Sequence, residues 1–214
     1  MEKRFQAVIF DMDGVVVDSE PLHERAFREV FEEIGYGQSH GIDFAAYYGK
    51  SDVLVWSDFI ARHRPLQSLG ELLARKEAKF VALVQREEPI FGGITPLLER
   101  LSARYPLGLA SGSRHSTIDV VLALRDLRPF FRVVVSSEDV AQGKPAPDIF
   151  LRAAELLGVA PGTCCVVEDS AAGVEAALAA GMRVIAITNS LPPEKLSRAT
   201  KVVANYMEIQ QMLL

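Results

Sequence analysis

From residue 94 onward, short apolar runs rich in β-branched residues alternate with helical patterns, and this alternation constrains the fold more than any other feature. The runs are Leu107-Gly108-Leu109-Ala110, Val133-Val134-Val135, Cys164-Cys165-Val166-Val167, Val184-Ile185-Ala186-Ile187 and the shorter Lys201-Val202-Val203-Ala204. A near-continuous apolar run suits a strand covered on both faces, as in a parallel sheet. Between the runs, 95–104 carries Leu97, Leu98 and Leu101, and 115–124 carries Ile118, Val121 and Leu122. Residues 147–157 carry Ile149, Phe150, Ala153, Ala154 and Leu157, and 171–180 is rich in alanine. Gly158 and Gly181 come after the last two as stop signals. Repeated β–α units predict an α/β fold with a doubly wound, Rossmann-like parallel sheet. Ligands of such sheets bind outside the carboxyl ends of the strands.

Residues 18–86 interrupt the alternation. An amphipathic helix over 21–34 places Leu22, Ala26, Phe27, Val30, Phe31 and Ile34 on one face and stops at Gly35 and Gly37. Segments 44–48, 53–61 and 69–85 also read as helical, and no strand is evident. The expected organisation is a core of 1–17 and 87–214 with a helical insertion over 18–86.

The first strand-like run, Phe5 to Phe10, ends at Asp11-Met12-Asp13-Gly14. Two carboxylates two positions apart at a strand end are costly unless a cation compensates them. Three further polar signals come after later strands or in their loops: Ser111-Gly112-Ser113-Arg114, Gly143-Lys144-Pro145-Ala146-Pro147-Asp148, and Glu168-Asp169-Ser170 with Gly173. In an open parallel sheet these ends converge on one edge. The chemistry that fits is phosphoryl transfer. Asp11 would attack phosphorus as a carboxylate nucleophile, and Asp13 would serve as general acid and then general base. Mg²⁺ held by Asp11, Glu168 and Asp169 would offset the repulsion between nucleophile and phosphate. Ser111 and the backbone through Gly112, Ser113 and Arg114 would bind phosphoryl oxygens, and Lys144 would neutralise developing charge.

Taken in this order, the four segments resemble the motifs of the haloacid dehalogenase superfamily, in the branch of β-phosphoglucomutase and sugar-phosphate phosphatases. The likeness spans essentially the whole chain. It rests most on Gly143-Lys144-Pro145-Ala146-Pro147-Asp148 and Glu168-Asp169-Ser170-Ala171-Ala172-Gly173. It implies that the backbone carbonyl of Asp13 also meets Mg²⁺ and that the insertion is a mobile cap reading the leaving group. It further implies that Tyr48-Gly49-Lys50 is a cap loop facing substrate, with Gly49, Lys50 and the cap-helix Lys76 as substrate-binding residues. A phosphatase acting on a small phosphorylated metabolite is expected, with a β-phosphoglucomutase-type mutase as the alternative. The mutase pattern has alanine between the two serines of the second motif, then lysine and asparagine; here Gly112 lies between, and Arg114-His115 come next. A dehalogenase needs no acid at Asp13, the phosphonate-hydrolase pattern lacks it, and a non-enzymatic phospho-acceptor module has neither that acid nor a cap.

Other classes are disfavoured by composition. A net charge of −5 gives no basic footprint for nucleic acid. No apolar stretch approaches the roughly 18 residues that cross a bilayer. Met1-Glu2-Lys3-Arg4 leads directly into the first strand and not into a signal-peptide pattern, so a cytoplasmic protein is expected. The sequence is silent on oligomeric state, and a monomer is the default expectation. Cys164 and Cys165 read as buried thiols on a strand. The scattered His23, His40, His63 and His115 give no zinc spacing. Gly49-Lys50-Ser51 is no P-loop, since Phe44 stands where that pattern needs its first glycine.

Overall fold

A computed structural model describes residues 5–47 and 51–214. The chain separates into two compact units, Met1–Asp18 with Pro89–Leu214, and Ser19–Glu88.

The first unit is built on six parallel strands, β1 Ala7–Phe10, β2 Leu107–Ala110, β3 Val133–Val135, β4 Cys164–Glu168, β5 Arg183–Ile187 and β6 Lys201–Val203, in the order β3-β2-β1-β4-β5-β6. Alternate residues explain the continuous apolar runs. Ala7, Ile9, Cys164, Val166, Val184 and Ala186 face a core shared with Ile149, Phe150, Ala153, Val174 and Ala177. Their neighbours Val8, Phe10, Cys165, Val167, Ile185 and Ile187 are buried as well, so both faces are covered. The helices of this unit are α4 Ile94–Ser102, α5 His115–Ala123, α6 Asp148–Leu157, α7 Ala171–Ala179 and α8 Tyr206–Leu213. The five expected strand segments and four helical segments after residue 94 are all present. The helix α8 is an addition to them. Its signals are short: Ile209 and Leu213 are one turn apart, both buried, and Asn205 caps the N-terminus by accepting from Glu208 N at 3.1 Å.

Register decides where the polar signals end up. Phe10 pairs with Leu109 on one side and Val167 on the other, and Ala110 pairs with Val135. The residues just past these pairs, Asp11, Ser111 and Glu168, therefore emerge at one carboxyl edge. The chain runs outward from β1 through β2 to β3, then restarts at β4 on the other flank of β1, so this edge is the switch point of the sheet.

The second unit contains α1 Glu20–Glu33, a short 3₁₀ turn Phe44–Tyr47, α2 Asp52–His63 and α3 Leu69–Glu87. Its core joins Phe27, Val30, Phe31, Phe44, Val55, Trp56, Phe59 and Leu72. A capping box starts α3, where Ser68 Oγ accepts from Glu71 N and Glu71 accepts from Ser68 N. Among the described residues no helix is long and apolar enough to cross a membrane.

Candidate active site

Asp11 comes directly after β1, and its amide still extends the ladder by donating to Val167 O at 2.9 Å. Glu168 is the last residue of β4, and Asp169 the next. Among the described residues, these three are the one His/Cys/Asp/Glu group whose ligand atoms lie within 4.8 Å of one another, and all three are buried. Burial pushes the Asp11 carboxyl up to about 8; Lys144 opposes this, while Glu168 and Asp13 add to it. Asp169 is raised by burial and then by the charges of Glu168 and Asp11. So much buried negative charge from hard oxygen donors is the donor set that Mg²⁺ takes, and these residues fit it.

Lys144 brings a positive charge into this cluster. Lys144 lies in the loop before α6 and is joined to Pro145 by a cis peptide bond. Its Nζ donates to Asp11 Oδ1 at 2.6 Å and to Glu168 Oε1 at 2.7 Å. Burial by itself pulls this ammonium down, and the two carboxylates more than reverse the effect. The other oxygen of Glu168 accepts from Asp169 N at 2.7 Å, Ser170 N at 2.6 Å and Ser170 Oγ at 2.9 Å. Ser170 then caps α7 by accepting from Gly173 N at 3.0 Å. The carboxylate thus lies against the N-terminal turn of α7, where negative charge is favoured.

Asp13 points elsewhere. Its Oδ2 accepts from Ser111 Oγ at 3.2 Å and Ser113 Oγ at 3.1 Å. Ser111 Oγ in turn accepts from Ser113 N at 3.0 Å. This second-motif loop is fastened to the one after β3: Ser137 N donates to Ser113 O at 3.1 Å, and Ser111 N donates to Val135 O at 3.0 Å. The two aspartates, two residues apart in sequence, have distinct surroundings, one among acids and Lys144 and one between hydroxyls.

Two glycines let the acids approach. Gly14 has φ +73°, and a Cβ there would collide with the Asp169 carboxylate and Ser190 Oγ. A Cβ on Gly173 would run into the Glu168 carboxylate.

The structure brings Asp11, Asp13, Ser111, Ser113, Lys144, Glu168 and Asp169 to one edge, with Gly112 in the same loop. Arg114 pairs with Glu138 at 3.0 Å, and His115 N donates to the other Glu138 oxygen at 3.0 Å, closing the start of α5. Gly49 and Lys50 lie outside the described residues. Lys76 lies in the second unit, buried, donating to Asp52 Oδ2 at 2.7 Å and in contact with His23 Nδ1. Sequence reasoning missed Asn189, Ser190 and Tyr206. The first two lie just beyond β5, so the strand-end rule that found the other motifs reaches them; Tyr206 carries no local signal.

The model of the haloacid dehalogenase-like hydrolases matches residues 5–181, and the chain belongs to that family. It is a phosphatase of the branch that includes sugar phosphatases and β-phosphoglucomutase-like structures. The fructose-1-phosphate phosphatase YqaB of Escherichia coli K12 is 34% identical over 184 residues, covering 85% of this chain and 96% of that one. CbbY from Rhodobacter sphaeroides, solved with xylulose 1,5-bisphosphate, superposes with a TM-score of 0.84 at 26% identity, covering 95% of this chain and 96% of that one. A β-phosphoglucomutase from Clostridium difficile gives 0.80 at 26% identity, covering 97% and 96%.

Proposed function

We propose that this chain is a Mg²⁺-dependent phosphatase that hydrolyses a small sugar phosphate through an aspartyl phosphate on Asp11. The observation that carries the reading is the separation of the two aspartates, Asp11 tied to Lys144 at 2.6 Å and Asp13 held by two serine hydroxyls. Asp11 Oδ attacks phosphorus while the bond from phosphorus to the sugar oxygen breaks. Asp13 gives its proton to that departing oxygen. Asp13, now a carboxylate, takes a proton from water as the water attacks phosphorus, and Asp11 is released with inorganic phosphate. Ser111 and the amides of the Gly112–Arg114 loop orient phosphoryl oxygens, and Lys144 opposes the upward shift that burial gives the nucleophile and offsets charge in the transition state. Mg²⁺, held by Asp11, Asp169, Glu168 and the Asp13 carbonyl, supplies charge neutralisation between nucleophile and phosphate when bound.

The inserted unit is proposed to act as the cap, with Gly49 and Lys50 reading the sugar, while Lys76, buried against Asp52, helps hold that unit together. The similarity to a β-phosphoglucomutase supports a mutase as the second reading. Gly112, Arg114 and His115 depart from the mutase pattern, and Lys50-Ser51-Asp52-Val53 stand after Gly49 where that pattern carries an arginine, so hydrolysis is preferred.

The test is a panel of sugar phosphates, including fructose 1-phosphate and hexitol phosphates, assayed for phosphate release with Mg²⁺ and with EDTA. Conversion of β-glucose 1-phosphate is measured alongside. Magnesium-dependent release that Asp11→Asn abolishes is expected; isomerisation outrunning release would favour the mutase.

A further inference from the structure

The loop carrying Asp13 is held from the far end of the chain. It closes on itself, since Met12 O accepts from the amides of Val15, Val16 and Val17 at 3.2, 2.7 and 3.1 Å, and Gly14 N donates to Val17 O at 2.8 Å. The Gly14 and Val15 carbonyls are both taken by side chains from beyond β5. Asn189 Nδ2 donates to Gly14 O at 2.8 Å, and the Tyr206 hydroxyl donates to Val15 O at 2.7 Å. Asn189 Nδ2 also donates to the Tyr206 oxygen at 3.0 Å. An amide has two hydrogens and a phenol one, so this arrangement uses all three in a single chain of fixed polarity. Burial raises the Tyr206 phenol well above its ordinary range, which keeps it a donor. The ring is wedged in place: a Cβ on Gly93 would collide with it, and Phe91 lies 6.1 Å from it, centroid to centroid.

Asp11 does not depend on these contacts, because strand pairing and Lys144 fix it. Asp13 lies past the end of the ladder, where the height of its backbone is set by what holds the loop. We infer that Tyr206 and Asn189 are positioning residues for proton transfer by Asp13, an inference that rests on the phosphatase reading above. A misplacement of about 1 Å at a reacting group can cost about a hundredfold in rate.

The leaving group distinguishes this role from a merely structural one. A sugar oxygen must be protonated as it departs; p-nitrophenolate leaves as a stable anion. The ratio kcat/KM reports the steps up to formation of the phospho-enzyme, so the later attack of water does not enter. Asp13→Asn, Tyr206→Phe and Asn189→Ala are compared with the wild type on the fastest sugar phosphate of the panel and on p-nitrophenyl phosphate. Asp13→Asn is expected to lose at least about a hundredfold on the sugar phosphate and far less on the nitrophenyl ester. Tyr206→Phe, which keeps the ring and removes the hydroxyl, is expected to show the same pattern at about tenfold, and Asn189→Ala likewise. If Asp13→Asn shows the split but the other two lose equally on both substrates, or lose nothing, the positioning role is overturned and the phosphatase reading stands. If Asp13→Asn shows no split, the acid role of Asp13 fails and the inference with it. Should Tyr206→Phe fold poorly, Asn189→Ala decides, since Asn189 is exposed.

Discussion

Lys144 Nζ donates to Asp11 Oδ1 at 2.6 Å and to Glu168 Oε1 at 2.7 Å, so one ammonium joins the ends of β1 and β4 across the switch point of the sheet. Lys144→Met removes the cation and leaves two buried carboxylates facing each other. Breaking a buried pair on one side costs about 3–5 kcal/mol. The variant is expected to melt well below the wild type in EDTA and to recover part of the loss with Mg²⁺. Its kcat should fall by about 10²–10³. Phosphate release and thermal melts check both, and a variant keeping more than about a tenth of wild-type kcat contradicts the role given to Lys144.

The acid cluster makes stability depend on pH in a direction opposite to the usual carboxylate case. Asp11 ionises near its ordinary 3.8 when the chain is unfolded and near 8 when folded without metal. Between these values the folded protein holds a proton that the unfolded chain has released, so raising the pH favours unfolding. Asp169 is shifted in the same direction. In EDTA the melting temperature should therefore fall as pH rises from about 4 to 8, by roughly 3–5 °C per unit where the difference is complete. Saturating Mg²⁺ should flatten the dependence, because it favours the ionised acids. Equal slopes with and without Mg²⁺ would show that the cluster does not hold the cation.

Gly173→Ala tests packing against helix propensity. In a helix interior alanine is favoured over glycine by about 1 kcal/mol. Here the added Cβ would run into the Glu168 carboxylate, so destabilisation and at least about tenfold weaker activation by Mg²⁺ are expected. Gly158→Ala is the control. It has φ +72° at the end of α6 but nothing within 4 Å of a Cβ. It should lose about 1 kcal/mol of stability from backbone strain and keep its activity.

Much of this site is legible in the sequence because a parallel strand delivers its next residue to a common edge. Asp11, Ser111 and Glu168 could be found by reading the first polar residue after each apolar run, and Gly173 by its place beside the acids. Asn189 and Ser190 sit just beyond β5 and obey the same rule, but side chains that grip backbone carbonyls have no characteristic residue pattern. Tyr206 is harder still. Its partner Val15 is 191 positions away, and only the docking of α8 brings them together. The helical insertion shows its helices through periodicity, yet the burial of Lys76 cannot be read from periodicity. A lysine on a helix is ordinarily solvated, and here Asp52 and the rings of Phe27 and Phe80, each 5.0 Å from Nζ, take the place of water.

That buried lysine gives the second unit a test of its own. Lys76 is 1% exposed and donates to Asp52 Oδ2 at 2.7 Å, with His23 stacked on Phe80 at 3.9 Å beside it. Asp52→Ala removes the carboxylate and leaves a buried ammonium with less to balance it, so the unit should lose about 1–3 kcal/mol. Asp52 is itself 37% exposed, which places the effect below that of a fully buried pair. Replacing both residues, Asp52→Ala with Lys76→Met, removes the charge along with its partner and should restore most of the stability. The chain has a single tryptophan, Trp56, one turn along α2 from Asp52 and 5.1 Å from the Phe27 ring, centroid to centroid. Its fluorescence therefore reports unfolding of this unit. A double variant no more stable than Asp52→Ala alone would mean that Asp52 acts by starting α2, as an acid in the first turn of a helix, and not by balancing Lys76.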